Sequence, residues 1–246
     1  MSAPLFLADR DALLAGERVE VTGPEGRHAV TVRRLRVGER VDLTDGEGIL
    51  VAGRVEQVHA PDRLVVEVLE RLVVPAPDPR FVVVQAIPKG ERGELAVELL
   101  TEVGADAIVP WAAARCVAQW RGERGEKAHR RWVGTAREAA KQSRRAHVPL
   151  VPTAAATGDV VAMIAASSGA VVLHEEAADA LVTWSPPPSG EVVVVVGPEG
   201  GLAPDEVEAF ASAGAAVVRL GPEVMRTSTA GAAALSVLLS RSGRWA

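Results

Sequence analysis

Two apolar runs, residues 192–196 and 216–220, each end abruptly in a small-residue loop that leads into a helical pattern, and this arrangement narrows the possible folds more than any other feature. The first run is five consecutive valines. A strand without polar alternation must be buried on both faces, as happens in a parallel sheet covered by helices. It opens into Gly197-Pro198-Glu199-Gly200-Gly201, and the second run opens into Gly221-Pro222-Glu223-Val224-Met225-Arg226-Thr227. In open α/β sheets, ligands bind outside the carboxyl ends of strands, where backbone amides and helix N-termini are available. Two such loops close together in sequence predict one binding site.

The same rhythm extends upstream. Compact apolar runs at 81–87, 107–109 and 170–173 alternate with helical patterns at 91–103, 127–145, 159–167, 204–212 and 229–240. This predicts a largely parallel sheet with helices on both faces. Before residue 73 the pattern is different: short alternating segments at 18–21, 40–43, 49–58 and 63–69 are separated by turn signals, which predicts a small antiparallel β-barrel. Between the two regions, Val73-Val74-Pro75-Ala76-Pro77-Asp78-Pro79 places proline at every second position, a composition suited to an extended connector. The expected organisation is a barrel at 1–72, a linker at 73–79 and an α/β domain at 80–246. Gly-Pro-Glu-Gly occurs both at 197–200 and at 23–26. The earlier copy lies between an alternating strand and a basic segment and reads as a plain turn.

With 48% hydrophobic residues, the 246-residue chain has material for a substantial core. Its single cysteine, Cys116, excludes an internal disulfide and a thiolate zinc cluster, and its five histidines lack metal-ligand spacing, so no metal is expected. A reducing cytoplasm suits this cysteine usage. No apolar segment approaches the roughly 20 residues that a membrane helix needs. The net charge of −5 hides an asymmetry: residues 115–149 hold ten lysines and arginines against three acids, a local excess of seven. A basic stripe on an acidic chain suits a polyanion, although a solvated helix face has the same composition.

The loop at 197–201 has neither the Gly-Lys-Ser/Thr of a nucleoside triphosphate site nor the Gly-x-Gly-x-x-Gly dinucleotide pattern. Its three glycines allow close backbone approach to a ligand beside a helix start. In the second loop, Thr227, Ser228 or Thr229 is expected to cap the following small-residue helix. Arg226 is badly placed for the helix dipole, and so should have a partner in Glu223, Glu199 or a substrate oxygen.

These loops, with Leu220-Gly221-Pro222, Met225-Arg226-Thr227 and Thr229-Ala230, resemble the C-terminal signature of the knotted SPOUT methyltransferases, and among them the bacterial 16S ribosomal RNA uridine-N3 methyltransferases. Similarity continues through His28-Ala29-Val30, Leu35-Arg36-Val37-Gly38, Pro88-Lys89-Gly90, Thr101-Glu102-Val103-Gly104, Ala107-Ile108-Val109-Pro110 and Gln142-Ser143-Arg144-Arg145. Glu223, Ser228, Lys141 and Leu99 depart from the family pattern. The resemblance implies a PUA-like β-barrel followed by a SPOUT-type parallel-sheet domain with a C-terminal trefoil knot, acting as a homodimer. It implies S-adenosylmethionine as cofactor, held by Leu173, His174, Gly197, Pro198, Glu199, Gly200, Gly201, Leu220, Gly221, Met225 and Thr227. Arg226 is expected to be catalytic, stabilising charge on the uridine oxygens. Arg33, Arg34, Arg36, Lys89, Arg115, Arg144 and Arg145 are expected to contact 16S ribosomal RNA or the small subunit. Two rival readings are a 2′-O-methyltransferase of transfer RNA and an RNA-binding module without activity.

Overall fold

The computed structural model describes residues 3–245. Its contacts divide the chain into two compact units. One is formed by the chain up to Ala76 together with Ala140–Val148, the other by Pro77–Ala139 and the chain from Pro149 onward.

The first unit contains strands β1 (Leu5–Leu7), β2 (Arg18–Val21), β3 (Arg40–Thr44), β4 (Ile49–His59) and β5 (Arg63–Val73) in the order β1-β3-β4-β5-β2. Short helices α1 (Arg10–Leu14) and α2 (Gly23–Arg27) accompany them, and α2 continues as a π-helical turn at His28–Val32. Phe6, Leu13, Leu43, Val51 and Val66 are buried in its core. The antiparallel expectation needs correction, because β1 runs parallel to β3, pairing Leu5 with Asp42. The sheet is therefore mixed. A three-residue strand buried throughout has no alternation to reveal it. Gly23–Gly26 is also not a plain turn, since it opens α2 with Pro24 in the first turn, where its fixed φ suits a helix and its missing N–H leaves no bond unmade.

Ala140–Val148 joins this unit through Lys141 Nζ donating to Glu25 Oε1 at 2.9 Å, Thr44 Oγ1 donating to the Ala146 carbonyl at 3.2 Å, and Val148 N donating to the Gly46 carbonyl at 2.9 Å. These bonds span about a hundred residues of sequence, so consecutive segments of pattern cannot reveal them.

The second unit is built on β6 (Arg80–Ala86), β7 (Ala107–Trp111), β8 (Gly169–Leu173), β9 (Asp179–Ala180), β10 (Glu191–Val196) and β11 (Ala216–Arg219), in the order β7-β6-β10-β8-β11-β9 with every pairing parallel. Its helices are α3 (Arg92–Val103), α4 (Gly122–Gln142), whose last residues belong to the first unit, α5 (Thr157–Ala166), α6 (Pro204–Ser212) and α7 (Thr227–Arg241). The five valines of β10 are at most 2% exposed. Successive side chains point to opposite faces of a sheet. Val192, Val194 and Val196 accordingly join Leu100 of α3 and Leu235 of α7 in one core, while Val193 and Val195 join Ile164 of α5 and Phe210 of α6 in the other. Each buried valine contributes roughly 1.5–3 kcal/mol over leaving it in water. On α7, Gly231 permits close approach, since a Cβ there would lie 3.2 Å from both Leu100 and Val196.

Candidate functional site

Strands β10, β8 and β11 are neighbours in the sheet and parallel, so their carboxyl ends at Val196, Leu173 and Arg219 open on the same side. A cleft of about 320 Å³ lies there. Small-molecule sites commonly occupy ~300–1,000 Å³. Among the residues expected at a cofactor or catalytic site, Leu173, His174, Gly197, Pro198, Glu199, Gly201, Leu220, Gly221, Met225, Arg226 and Thr227 line this cleft. Gly200 is not part of its wall. A Cβ on Gly200 would instead meet Arg115 Cβ at 3.4 Å and the Arg115 carbonyl at 3.5 Å, both ordinary contacts. Gly201, by contrast, has φ +72°, in the left-handed region where side chains are strained.

The start of α7 is tied to the first loop through Thr227. Its Oγ1 donates to the Gly197 carbonyl at 2.5 Å and accepts from Gln85 Nε2 at 3.1 Å. Gln85 is fully buried at the end of β6, and its Oε1 has no hydrogen-bond partner among the described residues. This relay fixes where the Gly197 peptide stands relative to α7. The capping expectation therefore needs correction: Arg226 occupies the N-cap position without a side-chain bond, and Thr227 lies one residue inside, with its hydroxyl directed at the loop. A polar Gln85 inside the apolar run 81–87 was the sequence signal for this relay.

Arg226 is exposed on the cleft wall, and its guanidinium makes no hydrogen bond or ion pair with another described residue. Glu199 Oε1 accepts from the Lys89 backbone N–H at 3.2 Å, and Arg115 Nη1 donates to the Gly200 carbonyl at 3.2 Å. Lys89 and Arg115 thus flank the glycine loop in the second unit. His174 is held by its backbone N–H on the Val218 carbonyl at 2.9 Å, while its Nδ1 accepts from Glu176 N at 3.2 Å. Seven further cleft residues were not named for the site from the sequence: Arg92, Glu175, Val196, Leu202, Arg219, Val224 and Ala230. Arg219 Nη1 bonds the carbonyls of Ala177 and Ala178, both at 2.6 Å, which braces the loop after β8. The others lie within or close to the runs and loops already singled out, and nothing in their type marks them for the site.

The remaining basic residues divide differently. Arg33, Arg34 and Arg36 are exposed in the first unit, with Arg144 exposed and Arg145 half-buried in the segment that joins it. The stripe on α4 is less uniform than its composition suggests: Arg130 pairs with Glu126 at 3.6 Å, Arg131 with Glu94 at 3.2 Å, and Lys141 is buried against Glu25. Burial pushes the Cys116 thiol above its ordinary pKa, away from thiolate chemistry. No described helix is long and apolar enough to cross a membrane, and no group of the described His, Cys, Asp and Glu residues could hold a metal ion.

An RNA methyltransferase PUA domain matches residues 21–69, and an RNA methyltransferase domain matches residues 75–239, the latter covering all three loops of the cleft. The chain belongs to this RNA methyltransferase family. A relative from Mycobacterium bovis, named ribosomal RNA small subunit methyltransferase E, is 50% identical over 92% of this chain and 87% of its own length. A ribosomal RNA small subunit methyltransferase E from Neisseria gonorrhoeae, solved with S-adenosylmethionine bound, superposes with a TM-score of 0.83 at 26% identity, covering 97% of this chain and 98% of that one. A Legionella pneumophila structure with bound S-adenosylmethionine gives a TM-score of 0.86 at 26% identity, covering 98% of each chain. The fold of this family member is a SPOUT methyltransferase domain preceded by a PUA-like domain.

Proposed function

We propose that this protein uses S-adenosylmethionine to methylate small-subunit ribosomal RNA and that the acceptor is N3 of a uridine in 16S RNA. The reading includes a cytoplasmic homodimer and a trefoil knot formed by the C-terminal segment. It rests chiefly on the cleft at the ends of β8, β10 and β11, where an arginine without a partner among the described residues faces the same space as the glycine loops.

The cleft fits the cofactor. Leu173, Leu220 and Met225 offer apolar contact for an adenine ring, the loop backbone at Gly197 and Gly201 allows close approach, and the carboxylates of Glu175, Glu199 and Glu223 suit a ligand carrying ammonium and sulfonium charge. When bound, S-adenosylmethionine supplies a methyl group activated by its sulfonium. The acceptor is an imide nitrogen, and it becomes an effective nucleophile by losing its proton, after which charge spreads to O2 and O4. Arg226 presents a planar guanidinium able to hold that charge, and the Gln85–Thr227–Gly197 relay fixes the backbone from which it projects. Glu199 and Glu223 stand in the cleft as acceptors for the leaving proton, with water as the alternative. Lys89 and Arg115 beside the loop add positive charge for the RNA backbone.

Mass spectrometry of nucleosides from small-subunit RNA, from cells with and without the gene, tests this reading. Loss of 3-methyluridine in the deletion strain is expected. Loss of a 2′-O-methylated nucleoside, or no change in any nucleoside, would contradict it.

A further inference from the structure

Gln85 is the one polar residue in the apolar run 81–87, and the fold encloses it completely. Buried polar groups ordinarily find a full set of hydrogen bonds, because an unpaired one carries the whole cost of leaving water. Gln85 lacks that set. Its Oε1 is the only buried side-chain oxygen or nitrogen among the described residues without a partner. A leucine or methionine fills a similar volume without this cost, so packing alone does not account for a glutamine here.

Its neighbours dictate which way the amide faces. Nε2 donates to the Ala86 carbonyl and to Thr227 Oγ1, both at 3.1 Å. A carbonyl only accepts, so the nitrogen must stand on this side; the reversed amide would set Oε1 against the Ala86 oxygen. The Thr227 hydroxyl must then accept from Gln85, which leaves its own proton for the Gly197 carbonyl at 2.5 Å. The direction of these bonds, from β6 through α7 to the end of β10, is therefore set at Ala86. On its other side the amide faces α7 again, at Gly231, where a Cβ would lie 3.5 Å from Oε1. Thr227 and Gly231 are four residues apart and share one helix face, so the amide sits across the first turn of α7.

Thr227 follows Arg226 directly and Gly197 opens the glycine loop, so one side chain from a third strand ties both cleft loops together. We infer that Gln85 is a positioning residue for methyl transfer. Acting through Thr227, it aligns the Gly197 loop with the segment that carries Arg226, and the buried amide is kept there even though it costs stability. The inference rests on the cleft being the site of methyl transfer.

The test uses the full chain with Gln85→Leu and Gln85→Met, each alone and combined with Thr227→Val. Melting temperature, S-adenosylmethionine affinity by calorimetry and the single-turnover methylation rate on small-subunit RNA at saturating cofactor are measured for each. Both Gln85 variants should melt at or above the wild-type temperature, because the unpaired carbonyl is gone. Cofactor affinity should nevertheless fall about tenfold, and the rate about ten- to a hundredfold, the scale of loss that a misplacement on the order of 1 Å produces. Adding either substitution to Thr227→Val should weaken cofactor binding no further, since Thr227 is the route by which Gln85 acts. A packing role would instead lower melting temperature, affinity and rate together. That joint loss in both variants, affinity and rate indistinguishable from wild type, or additive losses in the double variants would each overturn the inference. Leucine and methionine differ in shape, so where only one of them lowers the melting temperature, the other decides. Calorimetry needs no RNA, and an error in the assigned acceptor would leave the melting and affinity results intact. A wild type that does not bind S-adenosylmethionine would overturn the reading of the cleft and this inference together.

Discussion

At Gly23–Gly26 the tetrapeptide Gly-Pro-Glu-Gly opens a five-residue helix in the first unit, whereas at Gly197–Gly200 the same four residues form an irregular loop on the cleft of the second. The glutamates fare differently too. Glu25 accepts from Leu7 N at 3.2 Å and from the buried Lys141, while Glu199 is exposed and accepts only from the Lys89 backbone N–H among the hydrogen bonds described. Gly26 is enclosed: a Cβ there would lie 2.0 Å from the Asp62 carbonyl oxygen and 2.7 Å from that of Val21. The first copy uses its second glycine for close packing, whereas the counterpart in the second copy, Gly200, meets Arg115 only at ordinary distances. What precedes each copy explains the difference. A fully buried central strand ends at a sheet edge where a crevice is available, whereas an alternating edge strand delivers its turn onto its own barrel.

The largest effect expected from this contrast is at Gly26. Gly26→Ala should destabilise the protein by about 3 kcal/mol, the upper end of overpacking costs, because both obstructing atoms are backbone. Gly200→Ala, with neighbours at ordinary distances, should change stability by no more than about 0.5 kcal/mol. Urea denaturation of the two variants compares them directly, and similar losses would erase the contrast. Gly201→Val comes next. Its left-handed φ and its place on the cleft wall should reduce S-adenosylmethionine affinity about 100-fold, equivalent to ~2.7 kcal/mol, as read by calorimetry. A smaller loss is expected from Thr227→Val, which removes the acceptor for Gln85 and the donor to Gly197, at about 1–2 kcal/mol in stability. Cofactor affinity should fall with it, and Thr227→Ser should restore both. The smallest effect is at Glu199: Glu199→Gln keeps an acceptor for Lys89 N and should alter the unfolding free energy by less than about 0.5 kcal/mol.

Much of the second unit was legible because its buried strands are compact, mostly apolar runs without polar alternation, even where a single polar residue such as Gln85 or Arg219 interrupts them. The run at 192–196 lies at the centre of the sheet, and its loop lines the cleft. The first unit was harder to read. Leu5–Leu7 is too short to show its parallel pairing, and Ala140–Val148 packs with residues 25, 44 and 46, a relation that no local period encodes. Within the site, the motif residues could be found by type and spacing, but Arg92, Glu175, Leu202 and Arg219 needed the folded chain to bring them to the cleft. Gly200, placed with the cofactor residues by its motif, faces Arg115 instead, since the loop turns between Glu199 and Gly201.

The central claim is that the cleft of the second unit carries out methyl transfer with Arg226 as its charge-stabilising residue. Single-turnover methylation of small-subunit RNA by Arg226→Ala, at saturating cofactor and RNA, tests it most directly. The rate should fall by roughly 10²–10³, the loss typical of one transition-state donor, with both dissociation constants changed far less and lysine restoring only part of the rate. A rate near that of wild type, or a loss confined to cofactor binding or folding, would contradict the claim and make Arg226 a structural or cofactor-holding residue.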